Sequence, residues 1–114
     1  MSDMLPPPSR ELSRQRRELA PDIMKAFADF SRAVFAEGAL DVKTKQLIAV
    51  AVAHTTQCAY CIKGHTEAAH KAGASEQEIM EAIWVAAEMR AGGAYAHSNV
   101  ALATLNELKE KDGQ

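Results

Sequence analysis

The chain has 114 residues, 47% apolar and 25% charged, which suits one soluble domain long enough to bury a core without covalent staples. A net charge of −2 gives no general attraction to nucleic acid or anionic lipid. Few aromatics and abundant alanine favour a helical protein over a β-sandwich. The opening stretch MSDMLPPPSR has no apolar run of the signal-peptide kind, and LIAVAVA at 47–53 is too short to cross a bilayer. The expected location is the cytoplasm, where thiols stay reduced and a purely structural disulfide is disfavoured.

The elements follow in chain order. PPP at 6–8 marks an extended leader, and SRELSRQRREL at 9–19 reads as a short polar helix or a mobile arm. Pro21 and Asp22 open the next helix. Ile23, Phe27, Phe30 and Val34 form its apolar stripe, and Gly38 ends it. Asp41 is the expected N-cap of a helix over 42–56, apolar on nearly every side in its later part and so central. A third helix is expected from Cys58 to Ala72, closed by Gly73. SEQE at 75–78 is a capping box that opens a fourth, with Ile79, Ile83 and Ala87 as its stripe. Gly92 and Gly93 are expected to break the chain before a last helix, Ala94 to Lys109, with Ala101, Leu105 and Leu108 on one face; KEKDGQ is a polar tail. No strand-like alternation occurs. The expected fold is an all-α, single-domain bundle of five to six helices, with residues 1–20 as an N-terminal arm and 21–114 as the helical domain.

Both cysteines lie in QCAYCIKGH at 57–65. Residues three and four apart share a helix face, so Cys58 can meet Cys61, and Cys61 can meet His65. A helix N-terminus stabilises a thiolate, and an imidazole can take a thiol proton. The spacing therefore reads as a reactive dithiol, with Cys61 expected to be the thiol of depressed pKa. A structural metal site needs four ligands; His54 and His97 are the residues that could complete a Cys2His2 set, and nothing in their spacing demands it.

Residues 40–83, LDVKTKQLIAVAVAHTTQCAYCIKGHTEAAHKAGASEQEIMEAI, and GGAYAHSNVAL at 92–102 resemble the carboxymuconolactone decarboxylase superfamily, most closely its alkylhydroperoxidase D-like branch. The resemblance implies an all-α protein that assembles into a homotrimer or homohexamer. It also implies a thiol-dependent peroxidase or disulfide reductase that needs no metal or other cofactor. By position, Cys61 resembles the peroxidatic cysteine, Cys58 the resolving one and His65 the relay histidine. The implied substrate is a hydroperoxide, and the implied reductant is a dithiol protein, lipoylated or thioredoxin-like. One position departs from the branch: its glutamate, eleven residues before CxxC, is Gln46 here. Gln46 cannot accept a proton but can orient the histidine. Where some members carry a histidine before the second cysteine, Tyr60 stands, either as a substitute hydroxyl in the relay or as a packing aromatic. His54, one turn before Cys58, is a further proton-acceptor candidate. His97 extends the stripe of the last helix and is expected to point inward, as a satisfied core histidine first and as a residue bordering the site second, and His70 is expected in solvent. Trp84, Met80 and Met89 read as core or subunit interface. The alternatives are a lactone decarboxylase, against which CAYC argues, and a redox-sensing or metal-binding module without turnover.

Overall fold

A computed structural model describes residues 5–113; residues 1–4 of the expected arm and Gln114 of the tail lie outside it. The described residues form five helices and no strand: α1 (Arg10–Leu19), α2 (Pro21–Phe35), α3 (Val42–Thr56), α4 (Ala59–Lys71) and α5 (Glu76–Gly113). The protein is all-α, as its periodicity indicates.

Local chemistry sets most of the boundaries. Ser9 caps α1 by accepting the Leu12 N–H at 3.1 Å, so the polar stretch is helix. Pro21 supplies the first position of α2, where its missing N–H costs nothing. Asp41 accepts the Thr44 N–H at 2.8 Å and starts α3. The capping box at α5 is closed in both directions: the Glu78 N–H donates to Ser75 Oγ at 3.0 Å, and the Ser75 N–H to Glu78 Oε1 at 2.9 Å. Gln57 ends α3 in the left-handed region at φ 57°, and Gly73, at φ 96°, follows α4.

Two expectations about elements are corrected. The turn of α2 comes earlier than Gly38, since the helix ends at Phe35. The Gly92–Gly93 pair does not break the chain: α5 runs unbroken for 38 residues. Each interior glycine costs about 1 kcal/mol relative to alanine. That cost is too small to interrupt a helix whose neighbours, AAEMRA and AYA, are strong helix formers.

α3 is the central element, packed against both α4 and α5. Lys43 Nζ pairs with Glu78 at 2.9 Å near the start of both α3 and α5, and Arg90 donates to the Thr55 carbonyl at 2.6 Å at the far end of α3. These two ties lie twelve residues apart on each helix, so α3 and the first half of α5 run side by side in the same direction. Val50, fully buried, packs with Ala69 and Ala74, flanked by Leu47, Ile79 and Ile83; Ala53 and Ala86 are also buried. Ala86 takes the inward place expected of Ala87, which is exposed.

This core is small. The radius of gyration is 20.5 Å, against about 13 Å for a compact chain of this length. The α2 stripe that was expected to be buried is exposed, with Ile23 70% accessible, and Phe27, Phe30 and Val34 are exposed with it. Residues 93–113 of α5 are exposed throughout. Trp84, Met80 and Met89 are exposed as well and so do not belong to the chain's own core.

Candidate active site

Cys58 occupies the N-cap of α4, one position before the helix begins. Its sulfur accepts the Cys61 backbone N–H at 3.2 Å. The Cys58 thiol is therefore held below the ordinary cysteine range, first by the hydrogen bond from the Cys61 thiol and then by that N–H. Cys61 moves the other way. Donating to the Cys58 sulfur, together with burial, raises it above the ordinary range. This reverses the expectation that Cys61 is the more acidic thiol. The free N–H groups of a helix start face the cap residue, and the cap is Cys58.

His65 lies on α4 one turn after Cys61. Its Nδ1 is 2.8 Å from Oε1 of Gln46 on α3. An amide oxygen only accepts, so Nδ1 carries the proton and Nε2 is left as the acceptor. Gln46 is the buried polar residue of the core region, 8% accessible. It is not a surface residue of α3. Phe35, the last residue of α2, stacks on the imidazole with ring centroids 5.2 Å apart and an interplanar angle of 26°.

Two cavities meet at this group. One, of about 380 Å³, is mostly apolar: Val34, Ile48, Ala49 and Val52 lead to Cys61 and His65. The other, of about 510 Å³, is more polar, with Ser31, Arg32, Gln46 and Tyr60 around the same two residues. Phe35 borders both. Cys58 lines neither.

The remaining candidates separate. The Tyr60 hydroxyl donates to the Pro6 carbonyl of the leader at 2.8 Å, which commits its proton away from the relay. The His54 Nδ1–H donates to the Val50 carbonyl at 2.7 Å within its own helix, and His54 borders neither cavity. The His97 Nδ1–H donates to the Gly93 carbonyl at 2.8 Å; the residue is exposed on the far half of α5, not turned inward. His70 is exposed, as expected. Among the described residues, no three His, Cys, Asp or Glu side chains gather into a metal-binding group, so His54 and His97 do not join the cysteines. No helix among them is long and apolar enough to cross a membrane. Phe35 and Lys45, both at the site, escaped sequence reasoning. Phe35 lies off the α2 stripe, and no local pattern announces a contact between helices.

The carboxymuconolactone decarboxylase family model matches residues 21–104. The chain belongs to that family. It is also 55% identical over 108 residues to an uncharacterized protein of the cox locus of Paracoccus denitrificans, covering 95% of this chain and 97% of the relative. Among solved structures, a Methanobacterium thermoautotrophicum protein is 38% identical at a TM-score of 0.70, covering 74% of this chain and 94% of its own. The apo form of a Legionella pneumophila family member is 33% identical at a TM-score of 0.66, over 86% of this chain and 90% of that one. A Thermotoga maritima member, assigned as a possibility to the antioxidative response, is 34% identical at a TM-score of 0.57, over 78% of this chain and 92% of its own.

Proposed function

We propose that this member of the carboxymuconolactone decarboxylase family is a cytoplasmic thiol-dependent peroxidase. Cys61 is the attacking sulfur, Cys58 the resolving one and His65 the proton acceptor. The observation that carries the reading is the arrangement of two contacts, Gln46–His65 and Cys58–Cys61, at the start of α4, with His65 and Cys61 lining the same cavities. A buried amide fixes the His65 tautomer, and the acceptor nitrogen belongs to a ring that shares two cavities with Cys61. The Cys58 sulfur lies against the Cys61 amide.

The reaction follows from these positions. Cys61 yields its proton to His65 Nε2, and the thiolate attacks the terminal oxygen of a hydroperoxide. The O–O bond breaks, the leaving alkoxide takes the proton back from His65, and Cys61 carries a sulfenic acid. The Cys58 thiolate then attacks the Cys61 sulfur, forming the disulfide and expelling hydroxide, which is protonated to water. The Cys61 thiol no longer donates to Cys58 at this stage, but the Cys61 backbone N–H still favours the Cys58 thiolate. A dithiol protein, lipoylated or thioredoxin-like, reduces the disulfide and becomes oxidised itself.

The working form is a homo-oligomer, a trimer or hexamer. Support comes from the exposed apolar stripe of α2 and from the exposed Tyr95, Val100, Leu105 and Leu108 on the far half of α5, side chains of the kind that a subunit interface covers. The test of function is loss of an organic hydroperoxide with dihydrolipoamide in excess. Many turnovers per chain are expected. Consumption that stops at one peroxide per chain would contradict the reading.

A further inference from the structure

Lys45 and Gln46 are consecutive on α3 and point about 100° apart around it, as neighbours on a helix must. Gln46 reaches α4 and holds Nδ1 of His65. Lys45 reaches α2. Its ammonium donates to the Val34 carbonyl at 2.9 Å and to the Ala36 carbonyl at 2.6 Å. Those two carbonyls flank Phe35, the residue stacked on His65. Val34 lies in the last turn of α2 and Ala36 is its C-cap, where carbonyls lack an intrahelical N–H. Packing between α2 and α3 is otherwise sparse, so the lysine is a main anchor of the end of α2.

We propose that Phe35, pinned by Lys45, is a positioning residue that fixes the plane of the His65 ring, so that Nε2 is presented to Cys61. A single hydrogen bond at Nδ1 leaves the imidazole free to swing about that contact. A flat apolar face against the ring removes this freedom. The two restraints are of different kinds and come from adjacent residues of one helix. Phe35 also borders both the apolar cavity and the polar one, so the group that aims the base lines both spaces that reach Cys61.

The assignment rests on His65 serving Cys61 as proposed above, and its test is read without peroxide. In a Cys58→Ser background, ring nitrogen resonances of His65 are recorded by NMR together with the alkylation rate of Cys61 near neutral pH. With Phe35 present, one resonance for protonated Nδ1 and one for unprotonated Nε2 are expected. Phe35→Leu keeps an apolar side chain but removes the face. It should broaden both signals as the ring moves about its retained Nδ1–H bond, and slow Cys61 alkylation by about tenfold, within the roughly 10²-fold cost of misplacing a reacting group. Phe35→Tyr should restore both readouts. Lys45→Met should reproduce the Phe35→Leu effect, and Lys45→Arg should restore part of it. Unchanged resonances and rate in Phe35→Leu overturn the proposal, as does an equal loss in Phe35→Tyr. If Phe35→Leu does not fold, Lys45→Met decides by the same two readouts. Absence of peroxidase turnover in the native chain, with the His65 response intact, would count against the function and not against the clamp.

Discussion

The two halves of α5 make an instructive pair. Up to Arg90 the helix lies along α3, tied by Lys43–Glu78 at one end and Arg90 to Thr55 at the other, and it buries Ala86. Beyond Gly93 the same helix is exposed throughout its described residues, although Val100, Leu102, Leu105 and Leu108 are as apolar as anything in the first half, and Tyr95 is 81% accessible. The first half completes the unit that carries the dithiol. The second half carries apolar side chains that stay exposed among the described residues, as does α2. Amphipathic patterning thus says that a face will leave water. It does not say which chain covers it.

The largest expected effect comes from charging the exposed half. Leu105→Asp combined with Leu108→Asp should dissociate the assembly, at a cost of about 2 kcal/mol or more where such a residue sits at an interface hot spot. Sedimentation should then show monomers at micromolar concentration. If the native chain is already a stable folded monomer there, the contrast between the halves has been misread.

Next comes the buried amide of α3, in the unit that the packed half of α5 completes. Gln46→Glu places a carboxylate on His65 Nδ1, where it stabilises the imidazolium that forms as Cys61 loses its proton. Peroxide reduction should rise by roughly tenfold, part of the 10²–10⁴ typical of general-base help. A flat or lower rate would mean that Gln46 is tuned to a substrate for which a charge is harmful.

The smallest effect probes the join. Gly93 lies mid-helix, and a Cβ there meets nothing within 4 Å. Gly93→Ala should therefore stabilise the protein by about 0.5–1 kcal/mol, read as a raised denaturation midpoint. A loss of stability would show that α5 must bend at this point in the assembly.

How much was legible in the sequence depended on the range of the interaction. Asp41, Ser75 and Glu78 were readable because a cap is settled within four residues. The Gln46–His65 contact was anticipated through the resemblance alone; spacing by itself does not bring residue 46 to residue 65. The acidity of the cysteines was misassigned by a single position, since a helix from Ala59 makes Cys58 the cap, whereas a helix from Cys58 would not. His97 was placed inward by continuing a stripe past the point where α5 becomes exposed. Phe35 and Lys45 were invisible for a related reason. Their roles exist only once α2 is folded back onto α3 and α4, and neither residue breaks any local pattern.

The central claim is that Cys61 meets the peroxide and Cys58 resolves it, even though Cys58 is the more acidic thiol. The direct measurement is mass spectrometry of a sulfenic-acid trap after a peroxide pulse, in Cys58→Ser and Cys61→Ser. Serine preserves the N-cap at position 58, so the helix start should survive. The account predicts a trapped adduct on Cys61 in Cys58→Ser and none on Cys58 in Cys61→Ser, with peroxide consumption abolished in the latter. An adduct on Cys58 in Cys61→Ser, with Cys61 unmodified in Cys58→Ser, would contradict it and reverse the two roles.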